Sequence, residues 1–561
     1  MKNKGQVMTV TPSAAIYFHP EAYTTTGPKL MGRNAAGESF LRGYMAYTRA
    51  SEFWAQVDNI EHAQAFAQAI QGAGRSEPAK IIDRNNIAAL AQVGTLYCPG
   101  PGIGLHAWHR AGLGHGAWSL CGVTHTTASA GAMDSIAELL TAPVQPWDAL
   151  ICTSTAVKDN VSRILQAQAD YVKQRLGATR LVLPQMPVIP LGIHTSDFEF
   201  SSAQKAQART AIAADNRTHV VMFMGRLSFH AKAHPLAMYQ ALEAAARAIP
   251  ANEKVVLIEC GWHANEYIAR AYADAAQKAC PSVRLITLDG RKAEERQIAW
   301  ASADVFCSLS DNIQETFGIV PIEAMAAGIP VVVSDWDGYK DTVRDGIDGF
   351  RIPALMPHAG LGTDLATRHA LGVDTYDMYC GHVCSLVAVD VQASTDAFVR
   401  LFTSSDLRQR MGEAGRARAK EVYDWAAIIP RYEALWTQLA EIRRAQGRDV
   451  AQLPNPWPAR MDPFAAFSQY PTSILSAETR FVLARSEASR ALAQWRRLAM
   501  VNFARDVLPT EAECDAVLKA LEHGEKSAME LARTAPAERQ AFVFRSLVWL
   551  AKLDAIRLAR K

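Results

Sequence analysis

The chain has 561 residues, with 58 Lys plus Arg against 56 Asp plus Glu, so its formal charge of +2 shows no polyanion-binding surface at the level of composition. Hydrophobic residues make up 49% and charged residues 20%, which excludes a collagenous, coiled-coil or mostly disordered chain and suggests three or four globular domains. Nine scattered cysteines, an odd number, argue against a disulfide framework and for a cytoplasmic protein.

The first residues, Met1 to Ser13, are too short and too polar for a signal-peptide core. Short apolar runs then alternate with helical patterns: Ala14–Phe18, Thr95–Cys98, Ser119–Thr124 and Ala149–Cys152. Two uncharged stretches, Asn85–His109 and Ala111–Met133, carry too many Gly, Pro, His, Ser and Thr to make good membrane spans. Pro187–Ile193 reads as a connection between domains. A second, cleaner series of strands follows: Val220–Met224, Val255–Ile258, Val283–Ile286, Val305–Cys307 and Pro330–Val333. Strands that alternate with helices in this way predict two doubly wound α/β domains facing one another across a cleft.

Beyond about Leu386 the pattern turns helical, with a long amphipathic region from Leu407 to Ala440 that breaks near Tyr423-Asp424-Trp425. Pro454-Asn-Pro-Trp-Pro458 punctuates the chain like a boundary. From Phe503 on, three helical segments precede a short extended end. The expected division is 10–190 for the first domain and 191–445 for the second with its returning helices. Residues 446–502 make a Pro-rich linker and helical segment, and 503–561 a small helical module.

The strongest chemical signal is Glu315-Thr-Phe-Gly318-Ile-Val-Pro321-Ile-Glu323-Ala-Met-Ala-Ala-Gly328-Ile-Pro-Val-Val-Val-Ser334. Acids eight apart do not align on one continuous helix. Gly318 permits a tight loop and Pro321 suits a first helical turn, where its missing N–H costs nothing. Glu315 is therefore expected on a loop and Glu323 in the opening turn of the next helix. The free amides of Phe317, Gly318, Ile319 and Val320 between them would make a cradle for phosphate.

This string resembles the E-x7-E motif of retaining glycosyltransferases, in particular glycosyltransferase family 4 with the GT-B fold. Gly225-Arg226-Leu227 through Lys232 resembles that family's G-R-L…K segment. Ile189–Ile193 resembles its interdomain connection, and Asp345-Gly346-Ile-Asp-Gly349-Phe350 its d-G-x-x-G-f segment. The resemblance is specific from about Val188 to Tyr432 and looser over 10–187. The chain departs from the pattern in two places: Ala233 follows Lys232 where Gly is usual, and Asp335-Trp-Asp337-Gly338 carries one Gly where two are common.

The resemblance implies that Arg226 and Lys232 bind the diphosphate of a nucleotide sugar and that Glu315 faces the donor sugar. Glu323 would accept from the ribose hydroxyls, with the base near Gly290 and Arg291. In the first domain, the acceptor side, Gly37 would lie on a loop that closes over the donor phosphate, ahead of a helix beginning near Glu38. His125 would contact the donor sugar from a strand end. The implied activity is retaining, metal-independent hexosyl transfer from a nucleoside-diphosphate sugar, with no cofactor, in bacterial-type polysaccharide or glycoconjugate synthesis. The acceptor would be a glycan, a lipid-linked group or a small molecule, met in the cytoplasm or at the inner face of the membrane. A sugar-nucleotide epimerase of the same fold and a non-catalytic nucleotide-sugar sensor are the alternatives.

Residues 354–386 look like an insertion near the cleft. Its Cys380-Gly-His382-Val-Cys384 has no second ligand pair nearby and reads as an incidental cluster, not a metal site. The 503–561 segment resembles a winged-helix module. Its ten basic and nine acidic residues leave a net charge of +1, which argues for protein docking or self-association and against nucleic acid.

Overall fold

The computed structural model describes residues 13–24 and 32–559, which divide into two compact units at Trp457/Pro458. The larger unit holds two six-stranded parallel sheets. In the first, β1 (Ala15–Tyr17), β2 (Phe53–Gln56), β3 (Ala79–Ile82), β4 (Thr95–Tyr97), β5 (Ser119–Val123) and β6 (Ala149–Ile151) stand in the order β3-β2-β1-β4-β5-β6. In the second, β7 (Thr218–Met224), β8 (Lys254–Gly261), β9 (Arg284–Asp289), β10 (Val305–Ser308), β11 (Val331–Ser334) and β12 (Gly349–Ile352) stand in the order β12-β11-β10-β7-β8-β9. Both are doubly wound sheets, the architecture expected from the sequence. Each has a switch point where successive crossovers leave in opposite directions, between β1 and β4 and between β7 and β10.

The central strands β7, β10 and β11 read as nearly continuous apolar runs and are buried along their whole lengths, as expected of a parallel sheet covered on both faces. The helix Trp425–Gln446 follows the second domain in sequence but packs into the core of the first. Trp425, Tyr432 and Trp436 join Phe40, Tyr44 and Tyr97 there, and Trp425 Nε1 donates to Ser39 Oγ at 2.8 Å. Glu433 on this helix is 1% exposed and accepts from Thr48 Oγ1 at 2.9 Å and Arg49 Nε at 3.0 Å. The returning helix thus ties the two domains into one unit by burial of large aromatic surfaces.

An antiparallel pair, β13 (Ala354–Leu355) with β14 (Ala388–Val389), closes off the insertion, which carries the helices Thr363–Ala370 and Tyr376–Cys384. In the second unit β15 (Arg480–Leu483) lies between β16 (Lys526–Ser527) and β17 (Ile556–Leu558), antiparallel to both. Phe481 and Leu492 share a core with Leu518, Leu531 and Leu547. The module therefore begins before 503, the start expected from sequence. Its first strand is a four-residue segment with only Phe481 fully buried, too short to register as a pattern.

Glu259 on β8 is 1% exposed and accepts a hydrogen bond from the Tyr239 hydroxyl. Burial pushes its carboxyl up to about 7. The folded protein therefore holds a proton that the unfolded chain, with an ordinary carboxyl pKa of about 4.3, releases. This contribution to stability is full below about pH 4.5 and is lost as the pH rises toward 7. Glu259→Gln should flatten that part of the profile by on the order of 3 kcal/mol. Urea unfolding of both proteins at pH 5 and pH 8 checks it: the variant gains on the wild type at pH 8. An equal difference at both pH values would show that this carboxyl does not titrate with folding.

Candidate functional site

The second switch point is built by the loops that follow β7 and β10. The first loop delivers Arg226 and Lys232, and the second, residues 309–318, delivers Glu315. Lys232 Nζ lies 2.5 Å from Glu315 Oε2, with the two side chains 19% and 10% exposed. Burial alone would raise the Glu315 carboxyl. The Lys232 ammonium, aided by the Thr316 and Phe317 amides, instead holds it below the usual carboxylate range. Arg226 Nη2 donates to the Ala231 carbonyl at 2.6 Å, which turns the guanidinium back over its own loop, and Arg226 Nη1 stands 4.0 Å from Asp377 Oδ2 in the insertion.

Gly318 adopts φ +87° at the entry to the helix Ile319–Ala326, and a Cβ there would stand 2.1 Å from Tyr339 Cε1. Only glycine fits both the left-handed backbone and that close approach. Gly318 gives the helix no side-chain cap, so the amides of Ile319 and Val320 keep their donor capacity at its positive end. Glu323 is the fifth residue of this helix, one turn deeper than the opening turn expected from sequence. It is half-buried, and burial pushes its carboxyl up to about 7, with Arg296 lowering it and Asp197 raising it.

Arg296 Nη1 donates to the Gly290 carbonyl at 2.8 Å, so it links Gly290 to the neighbourhood of Glu323. A groove of about 530 Å³ opens beside the carboxyl ends of β8 and β9, lined in part by Gly261, Trp262, Thr287, Asp289 and Arg291. Arg291 itself is held by Asp289 through Nε at 2.9 Å and Nη2 at 2.8 Å.

The first domain meets the Glu315 loop directly. Thr316 Oγ1 donates to the His125 carbonyl at 3.2 Å, Ser154 Oγ donates to the Thr316 carbonyl at 2.8 Å, and the Thr155 amide donates to Asp341 at 2.6 Å. His125, at the end of β5, is thereby brought to the loop that carries Glu315. Lys232 and Glu315 are thus paired at the switch point, with Arg226 on the same loop as Lys232, and the His125 carbonyl meets the Glu315 loop; of Glu323, Gly290 and Arg291, only Arg291 lines the groove.

Besides Glu323, Gly37 sits differently from the expectation. Gly37 is the sixth residue of the helix Gly32–Tyr47, and does not lie on a closing loop. Ala35, Ala36 and Glu38 sustain the helix through this point. Glycine is needed because a Cβ would stand 1.9 Å from the Ala22 carbonyl oxygen. The segment around Gly27 and Pro28, part of the expected loop, lies outside the described residues. Phe317 buries its ring in the second domain's core, 6.1 Å from Tyr423 in an edge contact, while its amide, the group the sequence singled out, acts on the Glu315 carboxylate. Sequence reasoning missed Thr316, Ser154, Arg296 and Asp377, whose roles rest on contacts between distant segments and carry no local signal.

Among the described residues, no group of three or more His, Cys, Asp or Glu is placed to hold a metal ion. Cys380 and Cys384 are buried on the insertion helix, while His382 Nδ1 stands 3.0 Å from Asp374. No helix among the described residues is long and apolar enough to cross a membrane.

Residues 204–358 match the family model described as glycosyl transferases group 1. That span contains Arg226, Lys232, Gly290, Arg291, Glu315, Phe317–Val320 and Glu323, but neither Gly37 nor His125. The chain is 34% identical over 152 residues to a phosphatidyl-myo-inositol mannosyltransferase of Mycobacterium leprae, covering 26% of this chain and 31% of that protein. It is 28% identical over 196 residues to a D-inositol 3-phosphate glycosyltransferase of Mycobacterium marinum, covering 34% of this chain and 39% of that protein. The matched region thus spans about a third of the length of these relatives. Among solved structures, Anabaena Alr3699/HepE in complex with UDP aligns at 15% identity and a TM-score of 0.49, over 76% of this chain and all of that one.

Proposed function

We propose that this protein is a retaining glycosyltransferase that moves a hexosyl group from a nucleoside-diphosphate sugar to an acceptor hydroxyl. The observation that carries this reading is the convergence of Arg226 and the Lys232–Glu315 pair at the switch point, under a loop hydrogen-bonded to the first domain. Both cations lie at the carboxyl ends of parallel strands, where open sheets take ligands, beside the amino end of the Ile319–Ala326 helix. The match to glycosyl transferases group 1 covers these residues.

On this reading Arg226 grips the donor diphosphate through its planar fork, and Lys232 adds a point charge. Their charges offset the negative charge that grows on the departing nucleoside diphosphate, so transfer needs neither a metal nor a cofactor. Glu323 accepts from the ribose, and the groove by Gly290 and Arg291 takes the base. His125 and Glu315 face the sugar. A leaving phosphate oxygen deprotonates the acceptor on the face from which it departs, so the new glycoside keeps the donor's anomeric configuration. The contact of Thr316 with His125 closes water out of the reacting centre.

The relatives' names make inositol phosphates and lipid-linked inositols the first acceptors to test. A role in bacterial polysaccharide or glycoconjugate synthesis, at the cytoplasmic face of the membrane, accords with nine buried, unpaired cysteines. Incubation with UDP-, GDP- and ADP-sugars, with product analysis by NMR, tests the reaction. A new glycoside with the donor's anomeric configuration and one nucleoside diphosphate released per transfer is expected. An inverted product would overturn retention. An epimerised sugar nucleotide made without acceptor would replace transfer by epimerisation.

A further inference from the structure

The insertion between β13 and β14 begins at the end of the family match, which stops at residue 358, so its helix Tyr376–Cys384 is outside what that match describes. This helix packs on the loop that carries the donor-binding cations. A Cβ on Gly381 would stand 2.9 Å from His230 Cβ, so the glycine lets the helix backbone approach that loop. Cys384 Sγ contacts the Phe229 carbonyl at 3.7 Å. Asp374, fully buried, fixes the start of the helix by holding Arg368 Nη2 at 2.7 Å and His382 Nδ1 at 3.0 Å. On the first turn of this helix, Tyr376 is half-buried and its Oη lies 3.4 Å from Thr126 Oγ1 in the first domain, one residue beyond His125. Beside it, Asp377 Oδ2 faces Arg226 Nη1 at 4.0 Å.

The insertion therefore holds a carboxylate against the cation that would bind the donor diphosphate. Two acids, Glu315 and Asp377, now face two bases, Lys232 and Arg226. Lys232 and Glu315 form a tight, mostly buried pair, whereas Asp377 is 47% exposed and stands too far from Arg226 for a strong bond. Such a contact adds little to stability. Its effect falls on whatever anion takes Arg226: the carboxylate repels it and competes for the same guanidinium.

We infer that Asp377 weakens diphosphate binding at Arg226 and so speeds release of the nucleoside-diphosphate product. This rests on the transferase reading above, because the anion it opposes is the donor's diphosphate. Like charges within several Å in a partly exposed site shift affinity by about tenfold, less as salt screens them.

The test is a calorimetric titration of wild type, Asp377→Asn and Asp377→Glu with pyrophosphate, UDP, GDP and ADP at low and high salt. Asp377→Asn should bind pyrophosphate and the preferred nucleotide about tenfold more tightly, with the gain shrinking at high salt. Its kcat should fall with its KM where product release limits turnover. Asp377→Glu, which restores the charge, should bind like wild type. Equal or weaker binding by Asp377→Asn, or tighter binding by Asp377→Glu, would overturn the inference while leaving the transferase reading intact. Failure of wild type to bind any of the four probes would overturn both.

Discussion

Arg226→Ala should lower sugar transfer by roughly 10²–10³-fold while leaving the protein folded. Arg226 is 28% exposed and holds the Ala231 carbonyl, with Asp377 at 4.0 Å as its other near partner. Neither contact is buried enough for its loss to threaten the fold. On the transferase reading proposed above, Arg226 matters because charge that develops on the leaving diphosphate meets a donor already fixed in direction. Steady-state kinetics and a thermal melt check this together. Transfer at the wild-type rate would remove Arg226 from the site, and a collapsed melt would make its role structural.

Lys232→Met should cost both activity and stability, because Glu315 is only 10% exposed and would lose its counter-ion. Breaking a buried pair by removing one partner typically costs about 3–5 kcal/mol, and the partial exposure here puts the expected loss toward the lower end. The companion change Glu315→Gln separates the two losses. In the double variant no unpaired carboxylate remains, so stability should recover by about 2 kcal/mol relative to Lys232→Met. Transfer should stay lost, since the diphosphate would still lack its point charge. Denaturant unfolding of the four proteins in this cycle measures the coupling. Strict additivity would mean that the 2.5 Å contact adds nothing to folding.

The alternation of strands and helices was legible where strands are buried on both faces. Val220–Met224 and Pro330–Val333 announce β7 and β11 because no polar residue interrupts them. β2 and β3 leave a weaker trace: Phe53-Trp-Ala-Gln is four residues long, and β3 is an edge strand with Lys80 and Ile81 turned to solvent. Between Glu315 and Glu323, the change from loop to helix was readable because Gly318 and Pro321 reshape the backbone there, whereas the Arg226…Lys232 segment, with no glycine or proline inside it, was singled out only by its resemblance to a family motif. Gly37 misled for the converse reason. A glycine can mark a close helix crossing as well as a loop, and the Ala22 carbonyl that requires it lies across a neighbouring helix. Contacts such as Thr316 with His125 and Asp377 with Arg226 join segments far apart in sequence, so no local pattern of residues encodes them.

The most direct measurement is a thermal-shift panel of UDP, GDP, ADP and their common sugar conjugates on the wild type and Arg226→Ala. At about 100 times Kd, a ligand bound only by the folded state stabilises it by roughly 2.7 kcal/mol. The expected result is a shift with one nucleotide and its sugar conjugates that disappears in Arg226→Ala. A flat panel, or a shift that survives the substitution unchanged, would contradict a nucleotide-sugar site at the β7–β10 switch point.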